Sequence, residues 1–235
     1  MTGDELLRQA IQGVMSGALL VALIARSRWR LCSSFAGYNA LSLVVCFITL
    51  VWPERFYTQA SWLRFTALSD LQKLGIGLEI GWRTFSAFPG AAYAARRAAL
   101  LIVAATVLAL VSVPVIGPHS TSFQTAVVNV HPRAIDGAIW LMAAVLAIAR
   151  WHRVPVDRFH ASVLSSFAVY LLFFSSLLRL FDGHDFDATR MLVNSIDTSV
   201  FISLTCWWIH VAWRAESVVD RLHVNTLRTL ARGAY

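Results

Sequence analysis

LRFTALSDLQKLGIGLEIGWRTFSAF, residues Leu63 to Phe88, is long enough to cross a bilayer as a helix, yet it carries Asp70, Lys73, Glu79 and Arg83. Ionisable side chains at membrane depth are costly and face a protein interior or a wet cavity, so such a helix marks a functional site by default. At about 100° per residue, Asp70, Lys73, Gly77 and Gly81 fall on one stripe, with Glu79 and Arg83 on the opposite face. A helix of this kind needs apolar neighbours, and the rest of the chain supplies them.

Hydrophobic residues make up 57% of the 235-residue chain and charged residues 14%, with a mean hydropathy of +0.62. Soluble domains carry about 25% charge. Low charge with repeated apolar stretches of about 20 residues describes a polytopic membrane protein. The net charge of +7 does not point to nucleic acid, because the basic residues sit in short connections between apolar segments. Nearly all of them are arginine: Lys73 is the one lysine. Cys32, Cys46 and Cys206 show neither CxxC nor zinc spacing and read as small buried hydrophobes. Asp4 and Glu5 stand where a cleavable signal peptide has its positive region, so the first apolar segment is expected to be retained.

Seven apolar segments follow one another, at about Leu6–Ala25, Leu31–Trp52, Leu63–Phe88, Ala98–Ile116, Ala134–Ala149, Ala161–Phe181 and Met191–Trp213. Pro53-Glu54, Pro89-Gly90 and Gly117-Pro118 close the second, third and fourth, and a loop holding His119 and His131-Pro132 precedes the fifth. The expected fold is all-α, with a seven-helix transmembrane domain over residues 1–213. Arg26, Arg28, Arg30, Arg96, Arg97, Arg150, Arg153, Arg158, Arg214, Arg221, Arg228 and Arg232 lie on the side of the C-terminus. Arg8, Arg55, Arg64, Arg133 and Arg190 lie on the other. That imbalance predicts an outside N-terminus and a cytoplasmic C-terminus. Residues 214–235 read as a basic amphipathic tail, with Val218, Val219, Leu222, Leu227 and Leu230 set among arginines. It either lies on anionic lipid or docks a partner. Segment 1 ends ALIARSRWR and segment 5 ends LAIARWHR, a short match in common residues that fits two three-helix units joined by segment 4, or chance.

Three groups of residues are candidates for chemistry. Asp70 and Lys73 share a depth with Asn194 and Asp197 of segment 7, so Lys73 is expected between Asp70 and Asp197 as a lock, a gate or the floor of a pocket. Glu79 and Arg83 are spaced i,i+4 with the acid first, and read either as a self-satisfied pair or as a proton- or ligand-binding carboxylate. His119, His131, His184 and Asp185 on the outer connections form a candidate metal set without HxxxH or HExxH spacing. Gly77-x-x-x-Gly81 and Gly13-x-x-x-Gly17 allow close helix approach. No GxSxG, P-loop or GxGxxG occurs, and the absence of a lysine from segment 7 speaks against a retinal protein.

Glu79 followed by Trp82, Phe85, Phe88 and Pro89 resembles the third helix of a group of uncharacterised bacterial seven-helix inner-membrane proteins. More distantly the chain is similar to the seven-helix sensory regions that precede bacterial histidine kinases and cyclases. The resemblance implies a multi-pass protein of the bacterial cytoplasmic membrane. No kinase or cyclase follows Tyr235, so signalling would have to pass through a separate protein, by way of the tail. The expected function is a non-enzymatic sensory or accessory membrane subunit with a polar pocket between helices 3, 6 and 7. It needs no cofactor, and its partners are the lipid bilayer and a signalling or membrane-complex protein. A small proton-coupled carrier using Glu79 and Asp197 is the second expectation, and a membrane metalloenzyme the third.

Overall fold

A computed structural model describes residues 3–86, 97, 123–154, 156–180 and 186–214. Among the described residues the protein is all-helical. The elements are α1 (Gly3–Ala25), a 3-10 turn (Arg28–Arg30), α2 (Ser33–Val51), the single turn α3 (Pro53–Phe56), α4 (Gln59–Ser86), α5 (Phe123–Trp151), α6 (Arg158–Leu180) and α7 (Phe186–Trp213). Segment 4, His119, His184, Asp185, Phe88, Pro89 and the tail beyond Arg214 lie outside the described residues.

The six long helices close a ring. α1 packs on α2, α2 on α4, α4 on α5, α5 on α6, α6 on α7, and α7 back on α1. α1 and α2 are antiparallel, since Gly13 meets Cys46 while Gly17 meets Leu43. α4 and α5 run parallel, with Asp70 beside His131, Gly77 beside Leu141 and Gly81 beside Val145. α7 and α1 are parallel as well, held by Arg8 to Ser195 at one end and Arg28 to the Arg214 carbonyl at the other. The order of packing in α1, α2 and α4 therefore recurs in α5, α6 and α7, and the two units meet along their parallel pairs.

Among the described residues four helices are long and apolar enough to cross a membrane, over Glu5–Ala25, Ser33–Val51, Val130–Trp151 and Arg158–Leu177. Their exposed faces carry Val14, Val21, Phe47, Trp140 and Val169, an apolar exterior suited to lipid. These features mark a membrane protein. The two long helices outside that set are α4 and α7, the third helix of each unit, and each is packed between apolar neighbours.

At the centre of the ring Trp208 of α7 is fully buried. It stacks on Phe167 of α6 at 5.2 Å and meets Phe35 of α2 edge-on at 5.0 Å. Its indole N–H donates to Ser166 Oγ at 2.8 Å, which satisfies the polar end of the ring. Tyr38 packs edge-on against Phe167 at 5.3 Å. Aromatic pairs in these geometries add about 0.5–1.5 kcal/mol each beyond their buried area.

α5 departs from the sequence expectation. It begins at Phe123 rather than near Ala134, so His131 and Pro132 lie inside the helix instead of in a loop. Proline leaves the carbonyl one turn back without its helical donor and is usually read as a stop. Within a packed helical bundle that loss is tolerated, because neighbouring groups and local adjustment satisfy the freed carbonyl. α7 likewise extends to the N-terminal side of the expected Met191, since Phe186 and Asp187 already belong to it.

Glycine sets the α4–α5 spacing. A Cβ on Gly77 would lie 2.9 Å from Leu141 Cδ2 and 3.1 Å from its Cγ, and one on Gly81 would lie 3.0 Å from Val145 Cγ2. Gly77→Val is expected to destabilise the bundle by about 1–3 kcal/mol through overpacking. Gly37→Ala, whose Cβ would meet Gln72 at an ordinary 3.8 Å, should be neutral or stabilising. Thermal unfolding of both variants in detergent checks the contrast.

Candidate functional site

Asp70 and Lys73 lie one turn apart on α4 and face into the ring, only 6% and 9% exposed. The Lys73 ammonium donates to Asp70 Oδ1 at 2.9 Å. The other carboxylate oxygen, Oδ2, lies 2.6 Å from His131 Nδ1 on α5. Both Asp70 oxygens are therefore engaged, one within its own helix and one across the parallel junction of the two units. The His131 ring sits edge-on to Phe174 of α6 at 6.5 Å.

Asp197 of α7 is half-buried and accepts a hydrogen bond from the Tyr170 hydroxyl of α6 at 2.9 Å. Lys73 lies close enough to Asp197 for electrostatic coupling but forms its ion pair with Asp70. Tyr38 of α2 faces Ser69 and senses the charges of both Asp70 and Asp197. Asn194 belongs to α7, but its side chain is outside the described residues. The fold thus brings together Asp70, Lys73 and His131 as a bonded group and sets Asp197, Tyr170 and Tyr38 beside it.

Glu79 and Arg83 form a separate group on the face of α4 that meets α2. Arg83 Nη2 lies 2.7 Å and Nε 2.9 Å from Glu79 Oε1. The same carboxylate accepts the backbone N–H of Ser33 at 3.0 Å, the Ser33 hydroxyl at 2.8 Å and the backbone N–H of Ser34 at 2.6 Å. Cys32, at the cap position of α2, makes no side-chain capping bond to the backbone, and its thiol donates to Glu79 Oε2 at 3.8 Å instead. Glu79 therefore caps the first turn of α2 from another helix, placing negative charge at the positive end of the helix dipole. Arg83 Nη1 also donates to the Arg30 carbonyl at 2.8 Å, which closes the connection between α1 and α2.

Of the candidate metal set only His131 is described, and it is committed to Asp70 inside the bundle. Among the described residues no group of three His, Cys, Asp or Glu side chains is arranged to hold a metal ion. A groove of about 600 Å³ runs between α6 and α7, lined by Val169, Tyr170, Phe173, Val200, Leu204 and Trp207 with three serines. It touches the cluster only through Tyr170, and Asp70, Lys73 and Asp197 are not among its walls. Among the described residues the bonded charge cluster thus lies beside an apolar groove.

Tyr38, Tyr170 and the inward role of His131 escaped the sequence reading. For the tyrosines a signal was present: Ser33-Ser-Phe-Ala-Gly-Tyr38 recurs as Ser165-Ser-Phe-Ala-Val-Tyr170. The repeat supplies Phe35 and Phe167 to the aromatic centre and one tyrosine to each side of the polar cluster. Also unforeseen was the bridge from Asp136 of α5 to Arg179 of α6 at 2.6 Å, exposed at the bundle surface. Surface pairs of that kind contribute little. Comparison of the chain with protein-family models, curated proteins and solved structures finds no match.

Glu79→Ala removes a helix cap and the partner of Arg83 together. It is expected to lower stability by about 1–2 kcal/mol. Arg83→Ala should cost less, because that side chain is 42% exposed and its attraction is screened. Thermal unfolding of the two variants side by side tests the order.

Proposed function

We propose that the chain is a multi-pass subunit of a bacterial cytoplasmic membrane that acts without catalysis, as a sensory or accessory component working through a separate protein. The observation that carries this reading is the bonding pattern of the buried charges. Asp70 of α4 is bonded to Lys73 and, across to α5, to His131, and beside this group Tyr170 of α6 is bonded to Asp197 of α7, so the buried charges tie neighbouring helices together rather than lining an open site. A change of charge in either group bears directly on a helix–helix contact, which is what a membrane sensor needs in order to transmit. The parallel directions of α4 and α5 favour seven spans, because they put Ser86 and Phe123 at opposite ends of the bundle, and the fourth apolar segment of the sequence lies between those residues. With that count the arginine distribution sets the N-terminus outside and the C-terminal tail in the cytoplasm, where the tail is the docking element for the partner.

The recurrence of one helix order in two units favours a second reading, a small proton-coupled carrier with its coupling groups at the junction of the units. Affinity purification of the tagged chain from native membranes in mild detergent separates the two. A stoichiometric partner, lost on removal of residues 215–235, is the expected result. Recovery of the chain alone, together with pH-gradient-driven uptake in proteoliposomes, would replace the subunit reading by the carrier.

A further inference from the structure

We propose that the interhelical cluster binds one exchangeable proton, seated on either His131 or Asp197 across the junction of the two three-helix units. The proposal rests on reading the bundle as a membrane subunit, and it names the species to which that subunit responds.

Charge balance leads to it. Asp70 and Asp197 provide two carboxylates and Lys73 one ammonium, while Tyr38 and Tyr170 provide neutral hydroxyls. His131 is the one imidazole bonded into the cluster, and histidine changes charge near neutral pH. With His131 neutral and both carboxylates ionised, the group carries one uncompensated negative charge inside an apolar bundle. Such a charge is strongly disfavoured, and a single proton removes it.

Geometry gives that proton two seats. On His131 it makes a charge-assisted bond to Asp70 Oδ2, which lies 2.6 Å from Nδ1. Asp70 is then bridged by two cations, and Lys73 on its other oxygen balances the nearby Asp197. On Asp197 the proton leaves a neutral Asp70–Lys73 pair beside a neutral imidazole, and the Tyr170 hydroxyl at 2.9 Å remains a hydrogen-bond partner.

Around Asp197 the described groups are Tyr170 of α6, Tyr38 of α2 and Lys73 of α4. α1, which packs on α7, carries Arg8, whose guanidinium donates to Ser195 Oγ at 2.6 Å rather than pairing with Asp197. Among the described residues no cation forms an ion pair with Asp197.

The internal repeat borders both carboxylates. Tyr170, from one Ser-Ser-Phe-Ala-x-Tyr copy, bonds to Asp197, and Tyr38, from the other, lies near Asp197 and Asp70. Asp70 is bonded to Lys73 and His131, whereas among the described residues Asp197 has the Tyr170 hydroxyl as its hydrogen-bond partner.

The test is proton uptake by the purified full-length chain in detergent across about pH 5 to 8, combined with infrared spectra of the carboxyl stretch and nitrogen NMR of the histidines. The expected result is one proton taken up per chain, appearing as a protonated carboxyl lost in Asp197→Asn or as an imidazolium lost in His131→Gln. Tyr170→Phe keeps the packing and removes one hydrogen bond, so it should shift the midpoint of uptake even if the other variants fail to fold. Uptake curves that coincide for wild type, Asp197→Asn, His131→Gln and Tyr170→Phe would overturn the proposal. If the partner co-purifies but no such step exists, the proton site alone falls. If the step exists and no partner is found, the site stands and the subunit reading falls.

Discussion

An ionised carboxylate inside an apolar bundle survives only if both of its oxygens are engaged, and Asp70 meets that condition from two directions. Lys73 reaches it along the helix and His131 reaches it from the parallel helix α5. The second of these bonds fixes more than a charge. It requires α4 and α5 to lie side by side at a particular register, and the same register brings Gly77 and Gly81 against Leu141 and Val145. Close packing without side chains at those glycines and charge pairing about two to three turns away are thus two results of one alignment. Removing a single partner would leave a buried charge uncompensated, which costs far more than the intact pair contributes.

The bundle divides its work by helix. In each unit the first two helices are apolar enough to face lipid, while the third buries polar groups on one face and exposes apolar side chains such as Leu71 and Trp207 on the other. Helices of this kind cannot be placed by mean hydropathy alone, because their polar residues are satisfied by the rest of the protein. The aromatic centre lies one turn from the polar layer, with Phe35 and Phe167 each three residues before the tyrosine that borders the cluster. Trp208 joins the two copies by touching both phenylalanines.

Much of the helical architecture was legible in the sequence, because apolar segments of membrane-spanning length are a strong signal and breakers such as Pro53 mark their ends. The start of α5 was not, since Pro132 has the local signature of a stop and only the surrounding bundle makes it a helix interior residue. Misplacing that boundary also misplaced His131, which a loop reading sends to a surface metal set and a helix reading turns toward Asp70. Charged residues in α4 stood out by their cost, whereas Tyr38 and Tyr170 did not, since a tyrosine in an apolar segment reads as an ordinary core aromatic. The partner of Glu79 was legible in part. The i,i+4 spacing gave Arg83, but nothing local to Glu79 indicates that its carboxylate serves the first turn of another helix.

That borrowed cap has a consequence for how the protein is assembled. α2 precedes α4 in synthesis, and its own Cys32 leaves the first amides without a side-chain acceptor. Until Glu79 arrives, the N–H groups of Ser33 and Ser34 must make do with water or lipid headgroups. The N-terminal end of α2 is therefore completed by a tertiary contact rather than by its own sequence, and the tight turn after α1 gains a further tie when Arg83 reaches the Arg30 carbonyl. One carboxylate thus acts as a latch that orders the first helical hairpin after the third long helix has docked.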